Sequence, residues 1–218
     1  MSIKRKMIIW IGLLSTLTFA VVIYLISSQS VKRSKKDAFE LASVKASEYA
    51  NTSKNYLQSA SDAAWYLAKS ILALKHKGNI NREFYLELQR QTIESNDNFL
   101  SVWLMFEKNA IDGRDSLYLN TTIYDNQGRL NTGLVRYKTG IEYEYVEGNT
   151  IDEYQESFYT EPVQTKKEII TDPYMYAYGS LEPVKDSFFE TSIVVPVVDN
   201  DKAIGVVGID IGFTELQK

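Results

Sequence analysis

An α+β fold is predicted for this chain: an N-terminal transmembrane helix continuing into a long stalk helix, then a module with a mainly antiparallel sheet of about five strands. Three observations predict it. Ile8 to Ile26 is a run without a charged residue. From Ala42 to Leu74, apolar or small residues recur at steps of three and four, the period of a helix seam. Beyond Phe99 the hydrophobic period switches to two, the signature of strands.

The run from Ile8 makes about 28 Å of helix at the α-helical rise, close to the hydrocarbon thickness of a bilayer. Lys4, Arg5 and Lys6 precede it, which favours a cytoplasmic N-terminus and puts the residues after Ser27 outside. Lys32, Arg33, Lys35 and Lys36 beyond the other end weaken that asymmetry. A cleaved signal peptide is the alternative, since Ser27, Ser28 and Ser30 are small enough for a cleavage site. The run is longer than the usual signal core of about 7 to 15 residues. The expected organisation is residues 1–7 inside, 8–26 in the membrane, 31–78 as stalk, 79–212 as the exterior module and 213–218 as the start of a linker.

Charge supports that division. All the cations before Asp37 stand without an acid, whereas residues 37–218 hold 17 Lys/Arg against 28 Asp/Glu. An acidic exterior argues against a nucleic-acid partner, which needs clustered cations. The absence of cysteine excludes disulfides, thiolate chemistry and cysteine zinc sites.

The seam runs through Ala42, Ala46, Tyr49, Ser53, Tyr56, Ala60, Ala63, Leu67, Ile71 and Leu74. Its far half, with Trp65, is bulky and is expected to dock on the module. Its near half is small and weakly apolar, as a stalk or homodimer contact would be, although a purely intramolecular packing helix fits the same spacing. A second helix is expected from Arg82 to about Ser95, with Phe84, Leu88 and Ile93 roughly on one side.

Strands come next. In Phe99 to Phe106, Leu100, Val102, Leu104 and Phe106 form one face and Phe99, Ser101, Trp103 and Met105 the other. Leu117 to Tyr124 reads as a second strand, Asp125-Asn126-Gln127-Gly128 as a hairpin turn, and Leu130 to Tyr137 as a third strand. Gly140 to Gly148 is a looser stretch, and Asp152 to Phe158 a short helix capped by Asp152. Phe188 to Val198 and Ala203 to Ile211 close the sheet, joined by Asp199-Asn200-Asp201-Lys202. Pro196 cannot donate to a ladder and marks an edge or a bulge.

The closing pair, Thr191 to Val198 and Ile204-Gly205-Val206-Val207-Gly208-Ile209-Asp210-Ile211, resembles the end of the membrane-distal module of a double Cache sensor domain. Phe158-Tyr159-Thr160-Glu161-Pro162 and Ile169-Ile170-Thr171-Asp172-Pro173-Tyr174 resemble that family's aromatic pair and its acidic Pro-Tyr segment. The resemblance implies PAS-like modules on a long helix outside the membrane, with a further transmembrane helix and an output domain in the rest of a longer protein. It implies small-molecule sensing, with a methyl-accepting chemotaxis protein as the first expectation and a histidine kinase or diguanylate cyclase as alternatives. Amino-acid-binding members carry an arginine two residues before the aromatic pair and an acid three residues after the proline of the Pro-Tyr segment. Glu156 and Tyr176 occupy those places here, so an amino acid held in that mode is not expected.

No catalytic constellation stands out, and no cofactor is expected. His76, the lone histidine, reads as a solvated helix-end residue between Lys75 and Lys77. Asp199 and Asp201 have calcium-like spacing, but the loop lacks the glycine and closing glutamate of a calcium hand. Tyrosine is concentrated between Tyr118 and Tyr178, where rings with polar tips either enclose a small polar ligand or half-bury in strands. The candidate ligand-binding residues are Tyr118, Tyr124, Arg136, Phe158, Tyr159, Asp172, Tyr174 and Tyr176. Arg136 would anchor a carboxylate, or else form a surface ion pair. A single-pass envelope protein with a protein-binding exterior is the alternative of another class; it predicts a flat tyrosine-rich patch where a sensor predicts a cavity.

Overall fold

The computed structural model describes residues 2–78, 81–119, 121, 123–144, 152–178 and 187–213. The chain divides into two units, 1–51 and 52–218. Helix α1 (Ile3–Lys77) supplies nearly the whole of the first, where almost every described side chain is exposed. It is the one described helix long and apolar enough to cross a membrane, and its apolar window carries no burial.

In the second unit α1 buries Ala60, Ala64, Leu67, Ala68 and Ile71, while Trp65 and Leu74 are half-buried. Tyr56, Leu57, Ala63 and Leu72 also pack half-buried against the same core, so the far half of the seam docks on the module as the sequence predicts. Helix α2 (Arg82–Glu94) begins at Asn81, whose side-chain oxygen accepts from the Glu83 N–H. Inside it, buried Gln89 donates to the carbonyls of Val102 and Thr132, which ties the helix to two strands.

Seven strands form one sheet: β1 (Phe99–Phe106), β2 (Asn131–Tyr137), β3 (Gly140–Tyr143), β4 (Ile169–Ile170), β5 (Tyr174–Ala177), β6 (Ser187–Asp199) and β7 (Lys202–Gly212). The order is β3-β2-β1-β7-β6-β4, with β5 also on β6, and every pair is antiparallel. Asn200 and Asp201 take positive φ in the β6–β7 turn, as a tight hairpin requires. The register of β6 shifts between Val197 and Val198, and β4 stops pairing at Val194, so Pro196 stands where no described strand pairs with the outer edge.

Several expectations are corrected. Leu117 to Tyr124 is no strand: Asp115–Leu117 is a 3-10 turn, and residues 120 and 122 lie outside the described set. The competing demand comes from Arg82, 1% exposed. Its guanidinium donates to both oxygens of Asp112, to Asp115 at 2.6 Å and to the Gly128 carbonyl at 2.7 Å, so this stretch wraps the cation instead of pairing. Asp125–Gly128 does turn, with Gly128 N–H donating to Asp125 O at 2.9 Å, but it leads from that loop into β2. Gly128 has φ +70°, and a Cβ there would meet Asp115 O at 2.0 Å.

The stretch after Gly140 begins with strand β3; residues 145–148 lie outside the described set. Asp152–Gln155 is a 3-10 turn followed by α3 (Ser157–Thr165), which therefore extends beyond Phe158. An irregularity in the β1–β7 register between Phe99 and Ser101 reverses the side-chain alternation, so Phe99 joins the main core with Val102 and Leu104. His76 is not simply solvated: its Nε2 lies 2.9 Å from Asp199, which also accepts from Lys75 at 2.7 Å. Asp201 pairs with Lys166, so the two aspartates serve separate cations.

Candidate ligand cavity

The alternation of the strands divides the side chains of the sheet between two clusters. Val102, Leu104, Leu134, Ile193, Val195, Val207 and Ile209 pack with α1 and α2. Their neighbours in sequence belong to the other face, where Met105, Val194 and Val206 pack with Tyr154 and Tyr159, and Trp103 and Phe158 lie against them. A cavity of about 1070 Å³ opens on this second face. Trp103 of β1, Gly133 of β2, Glu190 of β6 and Asp210 of β7 line it, with Phe158 of α3 and Tyr174 and Tyr176 of β5.

Its lining is acidic. Buried Glu190 and Asp210 lie at the bottom, and Glu144, Glu153, Glu156 and Glu161 stand nearer solvent. Glu168 and Asp172 complete the set, and no Lys, Arg or His is among the described lining residues. No group of three His or acid residues is placed to hold a metal ion among the described residues.

Tyr178 joins the deepest groups. Its Oη lies 2.8 Å from Glu190 Oε2 and 2.7 Å from Asp210 Oδ2, and the Trp103 indole donates to Asp210 Oδ1 at 3.0 Å. Burial, reinforced by the neighbouring Asp210 charge, pushes the Glu190 carboxyl up to about 9. Burial also raises Asp210, against the donors that favour its anion. Tyr174, Tyr176 and Tyr178 are all pushed upward by burial first and by the surrounding carboxylates second, so they remain phenols.

Aromatic rings form the walls. Phe158 meets Trp103 edge-on at 5.7 Å, and Tyr176 stands 4.8 Å from Tyr178 and 6.3 Å from Tyr174. Tyr174 Oη shares a 2.6 Å hydrogen bond with Ser192 Oγ. One wall residue connects to α1: Glu168 accepts from Ser61 Oγ at 2.6 Å and from the Trp65 indole at 2.8 Å.

Of the candidates named from the sequence, Phe158, Asp172, Tyr174 and Tyr176 meet at this cavity. Tyr159 packs just beside it, 3% exposed, its hydroxyl donating to Glu107. Tyr118 and Tyr124 lie elsewhere, around Arg82, whose guanidinium carbon sits 4.0 Å and 5.2 Å from their ring centres. Arg136 is not in the cavity: it forms the expected surface ion pair, 3.6 Å from exposed Asp97, and it also donates to the carbonyls of Ile93, Asn96 and Phe99, which ties the C-terminal end of α2 to the start of β1. Glu190, Asp210, Trp103, Tyr178 and Glu168 were not singled out from the sequence. The available signal was an acid placed within an apolar strand run, as in Gly208-Ile209-Asp210-Ile211.

Comparison with known proteins agrees with this architecture. The methyl-accepting chemotaxis protein TlpQ of Pseudomonas aeruginosa PAO1 is 28% identical in a 148-residue alignment that covers 62% of this chain and 20% of that protein. The periplasmic sensory domain of the Campylobacter jejuni chemoreceptor Tlp1 superposes with a TM-score of 0.60 at 13% identity, over 78% of this chain and 58% of that one. The extracellular domain of a proposed histidine kinase, mmHK1S-Z2, superposes with a TM-score of 0.64 at 23% identity, over 77% of this chain and 58% of that one. The chain thus spans a fifth of the curated relative and a little over half of these solved domains. Residues 85–218 match the model of the methyl-accepting chemotaxis protein-like, first PDC sensor domain. A long apolar N-terminal helix, a PAS-like antiparallel sheet and a cavity at its exposed face all accord with that match, and the chain belongs to this family of sensor domains.

Proposed function

We propose that this domain is the extracytoplasmic input of a membrane-anchored chemoreceptor, and that its cavity binds a small organic cation, an amine without a carboxylate. The apolar run of α1 crosses the membrane in this reading, with the N-terminus inside. The observation that carries the ligand class is the lining: eight carboxyl groups with no cation among the described residues, against walls of Trp103, Phe158, Tyr174 and Tyr176. Carboxylates attract an ammonium and aromatic faces hold it, the more strongly where water is excluded. Glu156 at the rim would repel a carboxylate.

Glu168 gives the cavity a route to the helix. It faces the ligand space while its carboxylate holds Ser61 and Trp65 of α1. A bound cation drawing on Glu168 would weaken that hold, so the liganded and unliganded states differ in how α1 is gripped.

The test is a thermal-shift screen of the full chain in nanodiscs against aliphatic amines, amino acids and small carboxylates. Amines raise the melting point and carboxylates do not, because only a ligand of the folded state stabilises it. Replacing Trp103 with Phe reduces the shift. A response to carboxylates alone would defeat the cationic reading.

A further inference from the structure

On the cavity floor one phenol serves two carboxyl groups, and its hydrogens do not suffice. Tyr178 Oη stands 2.8 Å from Glu190 Oε2 and 2.7 Å from Asp210 Oδ2. Each separation is that of an O–H···O hydrogen bond, which needs a hydrogen between the oxygens. The phenol carries one. The second must belong to a carboxyl group, since two carboxylates sharing one phenol would leave one oxygen pair in bare contact.

The surrounding donors decide which carboxyl carries it. Asp210 has a donor at its other oxygen, the Trp103 indole at 3.0 Å, and Ser192 stands across from it in the ladder. Glu190 is 0% exposed, and its Oε1 has no hydrogen-bond partner. An anion is favoured where donors converge, so the negative charge belongs to Asp210 and the proton to Glu190. The chain of donation then runs from Glu190 Oε2–H to Tyr178 Oη, and from Tyr178 Oη–H to Asp210 Oδ2. Among the described residues, the other titratable groups facing Glu190 are Tyr174 of β5, whose hydroxyl stands toward the same carboxyl while it bonds Ser192, and Glu144 beyond β3; neither is a cation.

We propose that Glu190 is a neutral carboxylic acid in the unliganded protein and that a cationic ligand seats its ammonium at Glu190 by displacing this proton. The proposal rests on the cationic reading of the cavity. The exchange balances: Glu190–COOH and R–NH3+ give the Glu190 carboxylate paired with R–NH3+, and one H+ leaves to solvent. Glu190 Oε1, buried and unpartnered, is the acceptor waiting for the incoming N–H. Binding is therefore linked to pH. Below the range where Glu190 loses its proton unaided, affinity rises about tenfold per pH unit, and acid closes the site to its ligand.

Infrared difference spectra of the full chain in nanodiscs test both halves. Wild type minus Glu190→Gln at pH 7 isolates the carbonyl stretch of a protonated Glu190, and 13C-carboxyl labelling of glutamate reads the same band without any substitution. The expected result is a protonated-acid band that disappears when an aliphatic mono- or diamine of two to five carbons raises the melting point. Absence of the band at pH 7 overturns the proposal. A band that persists with the amine bound overturns the exchange. A band present while no amine in the series raises the melting point overturns the cationic reading of the cavity and the exchange with it, leaving only the neutral acid.

Discussion

Trp103 and Gly208 face each other across β1 and β7, and the indole lies so close over the glycine that a Cβ there would stand 2.0 Å from its ring carbons. The missing side chain lets the ring lie across β7 and reach Asp210 two residues on. Gly208→Ala forces the ring away, which costs about 1–3 kcal/mol of stability as overpacking. It also takes the indole donor from Asp210. Chemical denaturation and tryptophan fluorescence of the full chain read the two effects.

Arg82 is the cation around which the loop from Asp112 to Gly128 is built. Arg82→Leu leaves buried Asp115 and half-buried Asp112 without their cation, and the expected loss is about 3–5 kcal/mol. Burial opposes ionisation of Asp112, but the Arg82 guanidinium and the Arg114 N–H outweigh it and hold its carboxyl below the usual range. A lowered folded-state value stabilises above the ordinary carboxylate range and is lost as pH falls through it. Acid unfolding of wild type therefore has a component that disappears in the variant, measurable by circular dichroism against pH.

Arg136 separates a structural arginine from a ligand anchor. Arg136→Ala leaves the carbonyls of Ile93 in α2, Asn96 in the loop and Phe99 in β1 without this donor and is expected to lower stability by about 1–3 kcal/mol. Because the residue is outside the cavity, the melting-point increment produced by a saturating ligand stays as in wild type. A lost increment in a folded variant would return Arg136 to the binding site.

Glu190 sets a pH trend opposite to that of Asp112. Its folded-state value, about 9, lies above the ordinary carboxyl value, so the folded state binds the extra proton. Stability is then greatest at low pH within this window and falls as pH rises from about 5 toward 9, with a slope of up to about 1.4 kcal/mol per unit for one group. Glu190→Gln, the neutral isostere, flattens that slope. Melting temperature against pH for the two proteins decides it.

Long periodic elements were legible in the sequence: the seam of α1, the first strand and the closing pair all carry a hydrophobic repeat many residues long. Helix α2 falls where expected, but its buried side is Arg82, Tyr85, Gln89 and Ile93, while Phe84 is exposed, because two polar side chains there serve buried acceptors. The short ones were not. β4 and β5 contribute two and four residues, too few to show a period, and both exist because β6 offers them an edge. The false strand at Leu117 had the correct alternation, but alternation does not register a buried guanidinium elsewhere in the chain that needs acceptors. For the cavity, the aromatic motif around Phe158 and Tyr174 was visible. Its floor was not, because Glu190 and Asp210 are 20 residues apart and meet only through the β6–β7 register.

The division of the sheet between two faces carries an evolutionary consequence. The groups that hold the second unit together, Arg82 with its aspartates, Gln89 and the arginine at the end of α2, are grouped with the helices, while the carboxyl groups and rings of the cavity lie across the strands from the main core. Substitutions at the exposed lining positions outside the second cluster, Glu156, Glu161 and Asp172, can therefore redirect the cavity toward new chemicals while the main core keeps its packing. A lineage of receptors built on this sheet can drift in what it tastes without first having to relearn how to fold.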